Sequence, residues 1–532
     1  MKKTNLKLWL PFLLSIMVVL GMVIGYKLRK DTIGPDSFIA NPHNTAIGEV
    51  VRIIDKMYVK GTDKDSLEMK AINALLSELD PFSIYISSQQ LKEINDKVRG
   101  SFVGIGIGFE VIQDTVAITN VVTGSPADKA GVKTGDQFLR FNDTIQMSGP
   151  GRSDLGVVNI LEKVVGKSFK VLIKRNHKEF TTTLHKAMIP IFSVDAAYML
   201  DKKTGYVKLN QFSETTYREF MLALEKLKKE GMQQLLIDLR GNSGGVLTAA
   251  TEIANEFLAD QQLIVYTEGD KVGKKEYRCK RDGLYKDLKL AVLVDETTAS
   301  ASEVLAGALQ DWDRATIIGR RTFGKGLVQD QFNLTNGGAM RLTVAKYFTP
   351  LGRNIQKPYD KNTVEYQREL TKRFHSGQTV LGDTTSPTGK AYKTPKGNTV
   401  YGGGGITPDI LVAYDTTKLP TNALDLFLKG TLTRFTFLYY MHNRAPLDSL
   451  TSSNALFDYP LPKDEIWDEL SEFALADSIH VDSIQAVAKE NILEKFRAFL
   501  AKDMFGPQGY FEINNHYDNI VTKGLQVING SR

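Results

Sequence analysis

Ser300 and Lys325 stand twenty-five residues apart in a chain of 532, inside the stretches TTASASEVLAGALQD and RTFGKGLVQD. A serine and a lysine are enough, without a histidine, to make a nucleophile and its base, and the chemistry they support is acyl transfer through a covalent intermediate. The serine stretch reads as a turn that opens a helix over residues 299–311, directly after the apolar run from Leu288 to Val294. A hydroxyl at a helix mouth lies close to unpaired backbone N–H groups and is favoured by the helix dipole. On residue chemistry alone Ser302 competes with Ser300, because either hydroxyl can cap the helix or project from it.

A lysine base must be neutral near pH 7, against a free pKa of about 10.4. Burial among apolar groups lowers it, and Phe323 and Leu327 beside Lys325 are expected to supply the dry pocket. Gln329, four residues on, is placed to hold the amine as an orienting third member. The oxyanion that forms on an attacked carbonyl needs two N–H donors. Ala301 offers one, and the turn from Gly241 to Gly245 in RGNSGG offers the other, although such a turn also reads as a phosphate loop or a plain bend. None of the seven histidines lies in a glycine turn or at a strand end, and no HExxH pairs two of them on one helix face. Histidine-based and metal-based hydrolysis are therefore disfavoured, and no metal or cofactor is expected.

These residues need strand ends and helix starts to hold them. From Pro190 onward the chain alternates TGYVKLNQF, a helix over 214–230, QQLLIDL, RGNSGG, a helix over 247–257, LKLAVLVDE, the serine helix and ATIIG. Successive βα units favour a largely parallel sheet whose ligands bind at the carboxyl ends of the strands, where RGNSGG and TTASAS both fall. Residues 99–190 differ: a glycine stretch GSFVGIGIGF, short β-rich runs, the turn GSPADKAGVKTGD and one helix over 157–165. Apolar spacing from Thr45 to Asn95 is helical, and beyond Asp409 the chain is helical and charged, with an aromatic-rich helix over 424–441 that reads as core.

Composition sets the remaining bounds. The length implies roughly three domains, and 42% hydrophobic with 24% charged residues is a globular balance. The net charge of +6 comes from scattered lysines mixed with acids, so nucleic-acid binding is not expected. Cys279 is the single cysteine, which excludes an intrachain disulfide and reads as an incidental thiol. Lys2, Lys3 and Lys7 precede the uncharged run Leu8–Tyr26, which reads as an uncleaved signal anchor ahead of an exported chain, a cleaved signal peptide being the alternative.

The order of elements over 99–190 resembles a PDZ domain. Phe102, Val103, Gly104, Ile105, Gly106 and Ile107 then fall where that family carries the loop that cradles a peptide's terminal carboxylate. With GYVKLNQF, DLRGNSGG, TTASASEVLAGALQD, RTFGKGLVQ, YFTPLGRNIQ and YGGGGITPDI following in order, the whole is similar to the C-terminal processing peptidases, the tail-specific serine peptidases with a PDZ domain. The resemblance runs from about residue 45 to 410. It implies an α+β multidomain protein: an α/β, ClpP/crotonase-like peptidase core with an inserted PDZ domain and helical N- and C-terminal regions. Together with the residue patterns this gives an anchor over 1–30, a linker and helical region over 31–98, a PDZ domain over 99–190, a peptidase core over 191–414 and a helical extension over 415–532, which lies outside the resemblance and has no role assigned. The resemblance also assigns roles: Ser300 as nucleophile, Lys325 as base, Gln329 as its partner, and Gly245 and Ala301 as oxyanion donors. One departure is Ser243, where the family often has glycine. The implied substrates are proteins with apolar C-terminal tails, cleaved by an enzyme anchored in the inner membrane with its catalytic part in the periplasm. A homo-oligomer or an adaptor is a further implied partner. An inactive peptide-binding scaffold and a small-molecule esterase are the rival readings.

Overall fold

The computed structural model describes residues 46–163, 168–359, 366, 389–415, 421–481 and 484–530, with Ser15, Met17, Val18, Leu20 and Gly21 near the N-terminus. The chain divides into one unit ending at Leu75 and another from Leu76 onward. The first holds α1 (Ala46–Met57) and most of α2 (Lys64–Ser77). α1 buries none of its residues, and Ile47, Val50 and Ile53 are exposed. Among the described residues no helix is long and apolar enough to cross a membrane. Apart from those five positions, the expected anchor over Leu8–Tyr26 lies outside the described residues, as does the linker over 31–44.

In the second unit the helical reading of residues 45–95 is interrupted. Asp80 accepts from the N–H groups of Phe82 (2.8 Å) and Ser83 (3.0 Å), and the chain leaves this turn as a strand, β1 (Ile84–Ile86). Its Ile-Tyr-Ile sequence suits a strand, and it pairs far along the chain with residues 339–341. α3 (Ser88–Arg99) follows, closed at one end by a capping box between Ser87 and Gln90 and at the other by Gly100 at φ +74°.

Residues 101–190 build β2 (Ser101–Gly104), β3 (Ile107–Ile112), β4 (Thr115–Val121), α4 (Pro126–Lys129), β5 (Gln137–Phe141), β6 (Ile145–Gln146), α5 (Asp154–Lys163), β7 (Ser168–Arg175), β8 (Lys178–His185) and β9 (Ala187–Pro190). The sheet runs β3-β4-β5-β7-β8, so β3 is an edge, while β2 and β9 pair with each other as a separate ribbon. Alternate residues, such as Phe169, Val171 and Ile173, turn inward to the core with Val116, Ile118, Phe138 and Phe141. α5 begins three residues earlier than the apolar pattern placed it: Ser153 caps it, accepting the Gly156 N–H on its hydroxyl at 3.2 Å and the Val157 N–H on its carbonyl at 3.0 Å.

The next stretch carries the expected strands and helices, with further strands added among and after them: β10 (Val194–Met199), β11 (Thr204–Leu209), α6 (Thr216–Lys229), β12 (Gln234–Asp238), α7 (Leu247–Asn255), β13 (Leu263–Gly269), β14 (Gly273–Arg278), β15 (Lys289–Val294), α8 (Ala301–Asp311), β16 (Thr316–Gly319), β17 (Leu327–Asn333), β18 (Ala339–Phe348), β19 (Ala391–Lys393), β20 (Thr399–Tyr401) and β21 (Ile410–Leu411). The main sheet is β10-β11-β12-β15-β16-β21, parallel from β11 onward. A second, antiparallel sheet joins β1, β18, β13 and β14, with β17 on β18. It is formed by strands far apart in sequence, which periodicity alone does not pair. α6, α7 and α8 fill the space between main sheet and β13 in one cluster that includes Leu224, Ile253, Leu305, Leu309 and Val265.

The C-terminal region is helical as expected: α9 (Thr421–Leu428), α10 (Thr431–His442), α11 (Arg444–Leu447), α12 (Ser453–Asp458), α13 (Lys463–Leu475), α14 (Ala486–Phe505), α15 (Pro507–Asn514) and α16 (Asn519–Ile528). The single aromatic-rich helix read over 424–441 is two helices, because Gly430 takes φ +67° and breaks it. Its rings are core, as read: Phe435 and Tyr439 pack with Phe496. α16 does something the sequence left unassigned. Ile520, Val521 and Ile528 cover Tyr206, Leu236, Leu293 and Ile318 on the second face of the main sheet. A parallel sheet has to be covered on both faces, and the C-terminal helix supplies the second cover.

α8 is buried along its entire length. Its last residue, Asp311, holds Arg353 in an ion pair with both side chains fully buried, and also accepts from the N–H of Leu351 at 2.9 Å. Arg353→Met strands the Asp311 charge and is expected to lower the unfolding free energy by about 3–5 kcal/mol in urea denaturation.

Candidate active site

The serine turn is wound by Asp295, which follows β15 and accepts from the N–H groups of Thr297 and Thr298, each at 3.0 Å. The Thr298 hydroxyl donates to the Leu239 carbonyl at 3.0 Å, tying this turn to the end of β12. Ser300 is left at the mouth of α8 with φ +56° and ψ −118°, a region costly for a side chain with a Cβ. Its half-buried side chain shares a hydrogen bond with the hydroxyl of Tyr347 on β18. Ser302 is fully buried and donates to the Asn242 carbonyl at 3.0 Å. Of the two serines, only Ser300 keeps a route to solvent.

The glycine turn packs directly against it. Asn242, fully buried, accepts the Gly244 N–H on Oδ1 (2.9 Å) and the Ala299 N–H on its carbonyl (3.0 Å). A Cβ on Gly244 would lie 2.8 Å from the Ser300 Cβ, and one on Gly245 (φ +140°) would lie 2.0 Å from the Phe212 carbonyl oxygen. Phe212 bridges this turn through Gly244 O (3.0 Å) and the Val246 N–H (2.8 Å), so the Gly245 N–H points away from that ladder. The Ala301 N–H belongs to the first turn of α8, which no intrahelical carbonyl reaches. Ser243 is exposed, so the departure from glycine there leaves the turn undisturbed.

One buried side chain joins the serine turn to the lysine loop. Glu303, on the first turn of α8, accepts the Ser300 N–H (2.9 Å) and the Lys325 N–H (2.9 Å) on Oε2. Its Oε1 accepts the Gly324 N–H (2.8 Å) and the Thr322 hydroxyl. Each of the two oxygens thus takes two donors. Burial raises the Glu303 carboxyl, and the bonds from Thr322, Lys325, Gly324 and Ser300 offset only part of that rise. Glu303 lay in the quoted serine stretch, and a serine followed three residues later by glutamate at a helix start is a signal that points to it.

Lys325 is held low, to about 8: burial pushes it down and Arg341 adds to this, while Glu303 and Asp80 act the other way. The ring over its amine is Phe82, 4.6 Å from Nζ, rather than the expected Phe323, which packs on Tyr366. Leu327 is buried nearby in the chain as expected. Gln329 follows a bulge in β17 and turns its amide to the Thr343 hydroxyl at 3.4 Å, not to Lys325; Thr343 in turn donates to Asp80 at 3.0 Å. The Asp80–Phe82 turn is the part of the site that sequence reading missed, because nothing local pairs it with a loop more than two hundred residues away. Among the described residues the histidines lie on other elements: His177 and His185 around β8, and His442, His480 and His516 in the C-terminal helices.

The six residues expected to bind a peptide tail are split. Phe102, Val103 and Gly104 lie on β2, where Phe102 and Val103 are exposed. Ile105 is buried, Gly106 forms the loop at φ +80°, and Ile107 begins the edge strand β3. Cys279 is buried and its thiol is pushed up to about 11, mainly by burial, as an incidental thiol would be. Glu303→Gln sets an amide N–H against donors now on a carboxylate oxygen. It is expected to lower the unfolding free energy by roughly 2–6 kcal/mol in denaturant titration, about 1–3 for each donor left unpaired.

Two family models match the chain: PDZ domain over residues 103–185 and Peptidase family S41 over residues 203–366. A "Probable CtpA-like serine protease" of Staphylococcus aureus (strain N315) is 31% identical over 364 residues, covering 66% of this chain and 72% of that one. The protein of the same description in Staphylococcus epidermidis (strain ATCC 12228 / FDA PCI 1200) is 32% identical over 341 residues, covering 62% and 68%. A solved structure, "Photosystem II D1 C-terminal processing protease", aligns at 25% identity over 72% of this chain and 95% of that chain, with a TM-score of 0.36. A serine at a strained helix mouth, a glycine turn packed on it and a half-buried lysine thus stand in a chain that belongs to peptidase family S41, as a serine-type peptidase with a PDZ domain.

Proposed function

We propose that this chain is an exported endopeptidase that captures the apolar C-terminal tails of proteins and cleaves them with a Ser300–Lys325 dyad. The observation that carries the reading is the shared Glu303 carboxylate, which fixes the backbone of nucleophile and base on one rigid group. Ser300 Oγ attacks the scissile carbonyl carbon as its proton passes to the neutral amine of Lys325. The negative charge on the carbonyl oxygen is taken by the N–H groups of Gly245 and Ala301, a donor pair of which each member is worth about 3–4 kcal/mol in the transition state. Lys325 then returns the proton to the leaving amine, and water, deprotonated by the same amine, releases the acyl group from Ser300. Gln329 acts one step away, through Thr343 and Asp80, on the turn that carries Phe82.

The edge strand β3 is where a substrate tail adds as an extra strand. Leu155 and Val158 on α5 are exposed, the apolar complement that an apolar tail needs. Export and membrane anchoring rest on the basic residues and uncharged run at the N-terminus.

With an unstructured protein ending in an apolar tail as substrate, Ser300→Ala and Lys325→Ala are each expected to lower kcat/KM by at least about 10²–10⁴-fold while tail binding persists. Ser302→Ala is expected to keep activity and lose about 1 kcal/mol of stability. Activity retained by Lys325→Ala would sink the reading. The pH profile has a definite sign: Lys325 must lose its proton, so kcat/KM is expected to rise about tenfold per pH unit below the amine's pKa and to level above about 8. A profile that levels near the histidine value of about 6.5 contradicts the lysine base.

A further inference from the structure

The C-terminal helices meet the PDZ domain on the face of β3 and β4 that points away from its core. Along β3, Ile107, Phe109 and Val111 pack inward, so Glu110 and Ile112 point out. There Ile112 and Ala117 pack on Phe437 of α10, with Leu438 and Met441 beside it. Met441 closes over Gly135, where an added Cβ would lie 2.1 Å from the methionine methyl. Arg444 donates to the Thr134 carbonyl at 3.1 Å.

Two acids at this seam each keep one oxygen without a hydrogen bond among the described residues. Glu110 Oε2 and Asp503 Oδ2 of α14 are both shut from solvent without a hydrogen bond. Glu110 faces Asp154 of α5, Arg434 of α10 and Lys502 of α14. Asp503 faces Lys502 and Glu110, and Tyr440 of α10 feels its charge. Among the described residues neither cation, Arg434 nor Lys502, forms an ion pair with these two acids. Arg434 is paired with Asp477 at 2.5 Å, and Asp154 already accepts the Val111 N–H.

We propose that Glu110 and Asp503 form a proton-operated latch between the PDZ domain and the C-terminal helices, closed while the two acids hold a proton and strained once both are ionised. Burial raises both carboxyls, Asp503 to about 7, with the charge of Glu110 adding to the effect there and Lys502 opposing it. Freed to solvent, such groups titrate near 4. The docked state therefore binds more protons than the undocked one between these values, so docking is strongest at low pH and weakens as pH rises through about 7. One proton lost in this window corresponds to a roughly tenfold fall in the docking constant between pH 6 and 8. The latch does not depend on the dyad. If β3 takes the substrate tail, the latch also sets where that tail is presented.

Single-molecule energy transfer on the full-length chain tests it, with dyes at Glu179→Cys and Glu472→Cys, both exposed, and Cys279 left buried. The undocked, low-transfer fraction is expected to rise about tenfold from pH 6 to pH 8. Asp503→Asn and Glu110→Gln keep shape and remove charge, and each is expected to hold high transfer at pH 8. Transfer that ignores pH in the parent chain, or that follows pH equally in both variants, overturns the proposal. Low transfer in the variants already at pH 6 also counts against it.

Discussion

The carboxylate of Glu303 is the constraint on which the site depends. It is fully buried, yet four donors hold it, and those donors come from two segments, the serine turn and the lysine loop, which also share a bond from the Phe323 N–H to the Thr298 carbonyl at 3.0 Å. Each oxygen takes two hydrogen bonds, and these oppose the rise in the carboxyl's pKa that burial brings. A buried charge is tolerated only when it is saturated in this way. The consequence is mechanical: the backbone at Ser300 and the backbone at Lys325 cannot separate without stranding that charge. The positive φ of Ser300 persists because the surrounding bonds over-determine it.

The rest of the fold serves that arrangement in layers. The parallel sheet delivers the glycine turn, the Asp295 turn and the lysine loop at the carboxyl ends of β12, β15 and β16, where crossover connections place loops side by side. α8 runs back through the core from Ser300, and Asp311 at its far end grips Arg353. α16 closes the other face of the sheet, and Asp518 at its start pairs with Arg240 at 2.8 Å, next to the glycine turn. The antiparallel sheet brings Thr343, Tyr347 and the Asp80–Phe82 turn to the lysine and serine. Desolvation of Lys325 is therefore a product of tertiary packing rather than of its own loop.

Much of this was legible from residue order. The βα alternation located the parallel sheet, and RGNSGG and TTASAS fell at strand ends as read. What local pattern could not reach was anything built by long-range pairing. Phe82 replaced Phe323 as the ring on Lys325 because β1 joins β18 across some 250 residues. Gln329 left Lys325 because a bulge between Val328 and Gln329 re-aims the strand. Ser300 and Ser302 were equal on chemistry alone; the fold distinguishes their surroundings, burying Ser302 on the Asn242 carbonyl and leaving Ser300 half-buried. The aromatic helix divided at Gly430, a residue whose backbone freedom is plain in sequence but whose use there is not.

The most direct measurement is to treat the full chain with a fluorophosphonate, digest it and locate the adduct by peptide mass, comparing the parent chain with Lys325→Ala. The account predicts one adduct, on Ser300, formed at least about a hundredfold more slowly without the lysine amine. An adduct on Ser302 or another serine, or labelling of Ser300 at an unchanged rate in Lys325→Ala, would contradict it.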